Sequence, residues 1–251
     1  MTRSLLIRGM IIGACAGLLA FAFARVFGEP QIQHAIDFES YLARLHHEPE
    51  GPELVSRGVQ RSFGLLTGTL FMGVALGGIF SLTYAWAYGR IGNMSPRLTS
   101  LVLAAAAYLT IVLVPFAKYP ANPPAISNPD TISKRTLLYF TMITISILAA
   151  IAARRIWRAG IMRLGMWNAT LVAAAAFLVV IGAAELILPR ILETPQGFPA
   201  DVLYRFRLAS LGISLTLWTT IGLGFGAAAD RLLAPAVRRA AEPDSTAAPV
   251  G

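Results

Sequence analysis

Charged residues are scarce in this sequence, and long stretches contain none at all. Only 14% of the 251 residues are charged and 56% are hydrophobic, whereas a soluble domain carries about 25% charged residues. The mean hydropathy of +0.63 agrees with this composition. Water is therefore the wrong solvent for most of the chain. Six windows contain no Asp, Glu, Lys or Arg, and they cover residues 9–24, 62–89, 98–117, 136–153, 164–184 and 208–229.

The sequence also lacks the short signatures of common enzyme classes. It has no P-loop lysine motif, no dinucleotide-binding glycine fingerprint, no nucleophile-elbow serine and no His-Glu-x-x-His pair, so no motif supports an enzyme. Its single cysteine, Cys15, excludes an intrachain disulfide. The formal charge of +8 comes from short basic clusters between the windows, which is typical of membrane anchors rather than of a nucleic-acid-binding surface.

The windows have the length of membrane-spanning helices. A helix needs about 20 mostly apolar residues to cross about 30 Å of hydrocarbon, and backbone groups in lipid must be satisfied within their own segment. We therefore predict an all-α membrane protein, a bundle of about six transmembrane helices with a short outer helical cap. One transmembrane domain is expected over residues 1–232, with an outer loop at 28–61 and a disordered cytoplasmic tail at 233–251.

The first window is only 16 residues long and has two interpretations. Arg3 and Arg8 before a short apolar stretch with Ala-x-Ala sites are typical of a secretory signal peptide. Gly9, Gly13 and Gly17, at four-residue spacing, instead indicate a retained helix with a smooth packing face, and we favour this interpretation. The same spacing predicts packing faces at Gly64 and Gly68, Gly73 and Gly77, and Gly222 and Gly226.

Basic residues indicate the orientation of the bundle. Six spans place both termini on one side of the membrane. The short connections on that side, residues 90–97 and 154–163, contain arginines and no acidic residue. Cytoplasmic loops are enriched in Lys and Arg, so we predict that both termini are cytoplasmic and that the loop 28–61 lies outside.

The outer loop is the best candidate for metal binding because it contains all three histidines. The apolar spacing within residues 31–45 predicts a helix on which His34 and Asp37 share a face. Imidazole and carboxylate ligands together suit divalent ions such as Co²⁺, Ni²⁺ or Zn²⁺. The alternative is a solvated acidic loop that attracts cations without coordinating them. The full candidate set is His34, Asp37, Glu29, Glu39, His46 and His47.

Glu185 is the only acidic residue expected well inside a span. Carboxylates within a membrane are costly and are functional candidates by default. The alternative follows from Pro189, four residues further on, which would place Glu185 near the outer interface in reach of Arg190 or Arg205. Both interpretations remain open from the sequence.

Several distinctive strings resemble the CbtA family of predicted cobalt transporter subunits. They occur in order from about residue 3 to residue 232 and cluster at the ends of the windows. The strings are FAFARVFGEPQI at 21–32, VSRGVQR at 55–61, FAKYPANPP at 116–124, DTI at 130–132 with RT at 135–136, WNAT at 167–170, GFP at 197–199 and RFRLASLG at 205–212.

The resemblance implies a membrane subunit of a divalent-metal uptake system, with Co²⁺ as the transported ion and no prosthetic group. The family is regarded as a cobalt uptake component linked to cobalamin synthesis. We expect a multi-pass protein of a bacterial inner (plasma) membrane. It is thought to work with a small one-span partner that ends in a histidine-rich segment. No catalytic or ligand set comes with the resemblance. The alternative function is a non-transporting membrane scaffold or assembly partner of a metal transporter.

Overall fold

The computed structural model describes residues 2–47, 55–126, 129–191, 194–195 and 197–241. Every regular element within these ranges is helical, which confirms the all-α prediction. Five helical stretches in the described chain are long and apolar enough to cross a membrane. The helices are α1 (Thr2–Phe23), α2 (Glu29–His46), α3 (Arg57–Val59), α4 (Leu65–Ala87), α5 (Pro96–Ala107), α6 (Val114–Lys118), α7 (Ile132–Ile187) and α8 (Ala200–Ala241).

Three π-helical turns join helices that would otherwise be separate. They are Ala24–Gly28 between α1 and α2, Gln60–Gly64 between α3 and α4, and Tyr108–Leu113 between α5 and α6. The first makes residues 2–46 one continuous helical stretch. The helix expected in the outer loop is therefore present and begins directly at the end of the first span. It ends at His47, which adopts a left-handed conformation with φ of 56°.

The 56-residue helix α7 is a hairpin of two arms. Its backbone leaves helical geometry at Gly165, where φ is 74° and ψ is 168°. Met142 and Ala184 belong to one buried cluster, although a straight helix would place them about 63 Å apart. The two arms are therefore antiparallel, and the five helices provide six apolar segments. The prediction of a loop at residues 154–163 is wrong. These residues are helical, because arginine is a good helix former, and the chain reverses only at Gly165.

The contacts within the chain define two compact units, each built from separate stretches of sequence. Of the described residues, the first unit contains those within 2–22, 58–106 and 215–241, and the second contains those within 23–57 and 107–214. α8 continues to Ala241, so it includes the first residues of the segment 233–251 that the sequence assigns to a disordered tail. Residues 242–251 lie outside the described ranges, as do the loop residues 48–54.

In the first unit, α1 and α4 pack through their glycines. A Cβ atom added at Gly9 or Gly17 would lie 2.5 Å from the carbonyl oxygen of Gly77 or Thr69, and one at Gly13 would overlap the Gly73 carbonyl. The residue numbers rise along one helix and fall along the other, so the two helices are antiparallel. The packing faces predicted in α1 and at Gly73 and Gly77 are therefore confirmed.

The packing face predicted at Gly64 and Gly68 is wrong. A Cβ atom at Gly68 would have no neighbour within 4 Å, and one at Gly64 would meet only the Val59 carbonyl of the preceding turn. Glycine spacing alone therefore does not define a contact, because a partner helix must also face the same stripe. The pair Gly222 and Gly226 does have such a partner, since it packs against Ala104, Ser100 and Arg97 of α5.

In the second unit, the π-helical turn Tyr108–Leu113 supplies backbone acceptors to α7. Pro115 has no N–H and cannot bond the carbonyl of Ile111, four residues earlier. The Tyr139 hydroxyl donates to this carbonyl at 3.2 Å, and the Ser146 hydroxyl donates to the carbonyl of Thr110. Irregular backbone at membrane depth is tolerated where neighbouring helices satisfy it in this way.

Helix α2 is held in the second unit by a small apolar core. Ala35 is fully buried and clusters with Ile126, Phe198 and Val202. Phe38 meets Phe198 edge to face, with ring centroids 5.1 Å apart. α2 thus packs against the connections that follow α6 and α7 and against the first turn of α8. The exposed side of α2 carries His34 and Asp37.

Candidate functional site

The metal-ligand candidates on α2 are distributed along one helix and are mostly exposed. His34, Asp37 and Glu39 are all exposed. The Asp37 carboxylate accepts a hydrogen bond from the Gln33 side chain at 2.9 Å. Helical spacing places His34 and Asp37 on one face, as the sequence predicts. The remaining histidines, His46 and His47, are exposed at the end of the helix, where the His47 Nδ1 atom lies 3.1 Å from the carbonyl of Arg44.

Glu29 differs from the other candidates because it is buried. Its side chain is 8% exposed and accepts from Arg57 Nη2 at 2.8 Å. Glu29 follows the π-helical turn Ala24–Gly28, and Arg57 begins α3 just before the second π-helical turn. Two departures from regular α-helix therefore flank this pair. A charge-assisted bond of this length is among the stronger hydrogen bonds in proteins, so Glu29 is already neutralised by a cation.

A complete metal-binding group is not formed by the part of the chain that the structure describes. No three side chains of His, Cys, Asp or Glu within that part lie close enough together to hold an ion. His34 and Asp37 can contribute two ligands at most, whereas a structural zinc site has four and a catalytic zinc site has three from the protein. Tight coordination of a metal ion at this helix therefore requires ligands in addition to His34 and Asp37.

A second group of polar residues surrounds a cavity of about 280 Å³ in the second unit. The cavity lies where α6 ends, where the two arms of α7 begin and end, and where α8 begins. Glu185 lines this cavity. The sequence alone leaves open whether this residue lies deep in a span or near the outer interface. The lining residues that carry its chemistry are Lys118, Tyr119, Arg135, Glu185, Arg190 and Arg207.

Backbone hydrogen bonds fix the walls of this cavity. The Lys118 ammonium group donates to the carbonyl of Glu185, in the last turn of α7, where cations are favoured by the helix dipole. The Tyr119 hydroxyl donates to the carbonyl of Pro189 at 2.9 Å. Arg207 donates to the Asn122 side-chain oxygen at 3.0 Å and to the carbonyl of Ala121 at 3.3 Å. The ends of three apolar segments are thereby tied together.

The described lining of the cavity has an excess of positive charge. Among the lining side chains that the structure describes, four are cationic and one, Glu185, is acidic. The Oε1 atom of Glu185 is buried, and no hydrogen-bond donor reaches it from the described residues. Burial raises the pKa of the Tyr119 phenol, and the negative charge of Glu185 raises it further. Tyr119 is therefore a neutral hydrogen-bonding group at physiological pH.

The sequence patterns do not predict that these cations meet. The signal was present, since Lys118 directly follows the third uncharged window, and Arg135 and Arg207 directly precede the fourth and sixth. Arg190 follows the fifth window after Glu185 and Pro189. Residues that bound apolar windows on the same side of the membrane lie at the same depth. Depth alone, however, does not specify which helices are neighbours.

Four of the strings that carry the family resemblance meet in the second unit. Glu29 of the first string pairs with Arg57 of the second. Asn122 of the third string accepts from Arg207 of the last. A Cβ atom at Gly212 would lie 2.5 Å from Cζ of Phe23, so these two strings are also in close contact. Stretches that are far apart in the sequence therefore build one region.

Comparison with protein families agrees with this resemblance across nearly the whole chain. The family model described as "Probable cobalt transporter subunit (CbtA)" matches residues 2–230. Comparison with curated proteins and with solved structures finds no match. The long apolar helices identify a multi-pass membrane protein, and the family is one of transporter subunits rather than of enzymes. The chain belongs to the CbtA family of probable cobalt transporter subunits.

Proposed function

We propose that this chain is the membrane subunit of a cobalt uptake system, capturing the divalent ion at the outer face and passing it through the helix bundle. The observation that carries the proposal is the family match over residues 2–230. In this proposal both termini are cytoplasmic in a bacterial inner membrane. α2 then lies outside, as the arginine-rich, acid-free connections on the opposite side suggest.

Capture begins at α2 in this proposal. His34 and Asp37 supply two ligands of different type from one helix face, and Glu39, His46 and His47 enlarge the collecting surface. Two exposed ligands bind an ion weakly, and conduction requires binding that also permits release. A histidine-rich partner with one transmembrane span would complete the coordination sphere, which accounts for the incomplete ligand set of the described chain.

Glu29 is the proposed entry residue. It is a buried carboxylate at the end of the first span, and the Arg57 guanidinium occupies the position of a cation beside it. An arriving Co²⁺ would compete with Arg57 for this carboxylate. These ligands do not select Co²⁺, because nitrogen and oxygen ligands bind Ni²⁺ and Cu²⁺ at least as well. Selectivity for Co²⁺ must therefore arise outside the residues named here.

The second candidate function is a scaffold or assembly partner that does not itself carry the ion. Two observations favour it. No three-ligand group is present in the described ranges. The described lining of the polar cavity near Glu185 also has more cationic than acidic groups, and such a lining repels a divalent cation. In this alternative the α2 candidates form a solvated acidic surface without coordination.

Substitution of His34 separates coordination from charge. The experiment measures Co²⁺ binding and Co²⁺ uptake for His34→Ala, which keeps every carboxylate, beside the control Tyr41→Ala. Tyr41 is on the same helix and 54% exposed. If imidazole is a ligand, His34→Ala lowers both quantities and the control does not. Equal values for the two variants would leave only an acidic surface and would contradict the proposed capture site.

A further inference from the structure

An apolar groove adjoins the cationic cavity in the second unit. It has a volume of about 660 Å³ and shares Tyr119, Asn122 and Arg135 with the cavity. Its apolar lining includes Val112, Phe116, Ile132, Tyr139 and Phe140. Ile132 and Phe140 are 52% and 61% exposed, so the groove opens onto the surface of helices that cross the membrane. The cavity and the groove are therefore neighbours, and the first is lined by cations whereas the second is mostly apolar.

The cationic end retains donors for a ligand. Arg207 uses two of its five N–H groups in its bonds to Ala121 and Asn122. Lys118 uses one of three in its bond to Glu185. Arg190 lies at the rim and is exposed. These groups stand at the ends of apolar segments, which is the depth of lipid head groups.

From this juxtaposition we infer that the cavity and the neighbouring groove together bind an anionic phospholipid, with its phosphate among Lys118, Arg190 and Arg207 and one acyl chain along the groove. Charge complementarity selects the head group, because a choline ammonium would face a surplus of cations. Basic pockets between membrane helices bind anionic head groups on the cytoplasmic side, and the same electrostatic attraction acts on an anionic head group of the outer leaflet.

The position of Glu185 indicates which kind of anionic head group fits the cavity. Its buried Oε1 atom accepts no hydrogen bond from the described residues, and a buried acceptor without a donor is costly. A head group that carries hydroxyls, such as glycerol, would donate to this oxygen while its phosphate binds the cations. Phosphatidylglycerol therefore fits both parts of the cavity.

Free inorganic phosphate is also an anion, but it has no acyl chain that could occupy the groove. The experiment therefore uses the full chain in phosphatidylcholine vesicles and measures binding of a fluorescent phosphatidylglycerol, with inorganic phosphate as competitor. Arg190→Gln removes a cavity charge. Arg205→Gln is its matched control, because Arg205 is exposed two residues from Arg207 and does not line the cavity. Ser214→Phe fills the groove, and Leu215→Phe is the control outside it.

The expected result is a loss of phosphatidylglycerol binding of about fivefold for Arg190→Gln, since one basic residue contributes roughly this factor near anionic lipid. Ser214→Phe also weakens binding, and both control variants bind as the wild type does. Inorganic phosphate at millimolar concentration does not displace the lipid. Two outcomes would overturn the inference: equal losses for Arg190→Gln and Arg205→Gln, or displacement by phosphate combined with no effect of Ser214→Phe, which would identify a free-anion site.

Discussion

At the scale of single residues, two ion pairs of nearly equal length differ in burial. Arg57 and Glu29 are 2.8 Å apart with side chains 24% and 8% exposed, and Arg97 and Asp230 are 2.9 Å apart with side chains 65% and 30% exposed. Removal of one partner from a buried pair costs about 3–5 kcal/mol because a charge is left without compensation. An exposed pair contributes about 0–1 kcal/mol.

We therefore predict that Arg57→Gln lowers the free energy of unfolding by several times as much as Arg97→Gln. The double variant Glu29→Gln/Arg57→Gln should recover most of the loss, because no buried charge remains. Denaturation in detergent measures both effects. Equal losses for Arg57→Gln and Arg97→Gln would mean that the Glu29 environment is as solvated as the surface.

Glu185 has a different role in this account, because it lines a cavity and its charge is not needed to tie the helices. Lys118 contacts the backbone carbonyl of this residue rather than its carboxylate. Glu185→Gln should therefore leave the free energy of unfolding close to that of the wild type. If the buried carboxylate also takes part in transport, the same variant reduces Co²⁺ uptake. Asp201→Asn, an exposed residue in the first turn of α8, is the control. Unchanged uptake in Glu185→Gln would make Glu185 a residue of the interface only.

At the scale of helices, the contact between α1 and α4 depends on missing Cβ atoms. Gly13→Ala is predicted to be strongly destabilising, because the added atom overlaps the Gly73 carbonyl of the facing helix. Gly68→Ala in α4 is the matched control, since nothing lies within 4 Å of the added atom. It should be neutral or stabilising by up to about 1 kcal/mol through helix propensity. Unfolding in detergent compares the two, and similar losses would contradict the observed packing.

The sequence predicted helices better than it predicted their ends and partners. Uncharged windows identified all the apolar segments, because exclusion of charge from hydrocarbon is a strong and local constraint. The reversal at Gly165 was missed, since a single glycine within a helix-forming arginine-rich stretch gives little signal. The pairing of Arg57 with Glu29, 28 residues earlier, and the meeting of Lys118 and Arg207 are long-range contacts, which no periodic pattern encodes.

At the scale of the whole molecule, the proposed orientation predicts where each connection lies. Reporter fusions at Gly92, at Gly165 and after Arg239 should be cytoplasmic, and a fusion near Glu50 should be external. The arginines between Arg154 and Arg163 would then occupy the cytoplasmic end of the α7 hairpin, in line with the enrichment of basic residues there. A cytoplasmic signal at Glu50 would invert the topology and remove α2 from the capture side.

Transport through the bundle and a scaffolding role differ in what they require of Glu29. A scaffold needs a folded chain, whereas an entry residue needs its carboxylate. The double variant Glu29→Gln/Arg57→Gln is expected to remain folded without a buried charge, so it separates the two roles where a single substitution would not.

The most direct measurement is Co²⁺ uptake into vesicles that contain the proposed histidine-rich partner together with the wild-type chain, with the double variant, or with no chain. We predict uptake with the wild-type chain, a loss of most of it with the folded double variant, and none without the chain. Uptake by the double variant equal to that of the wild type would contradict passage of the ion by Glu29 and would favour the scaffold.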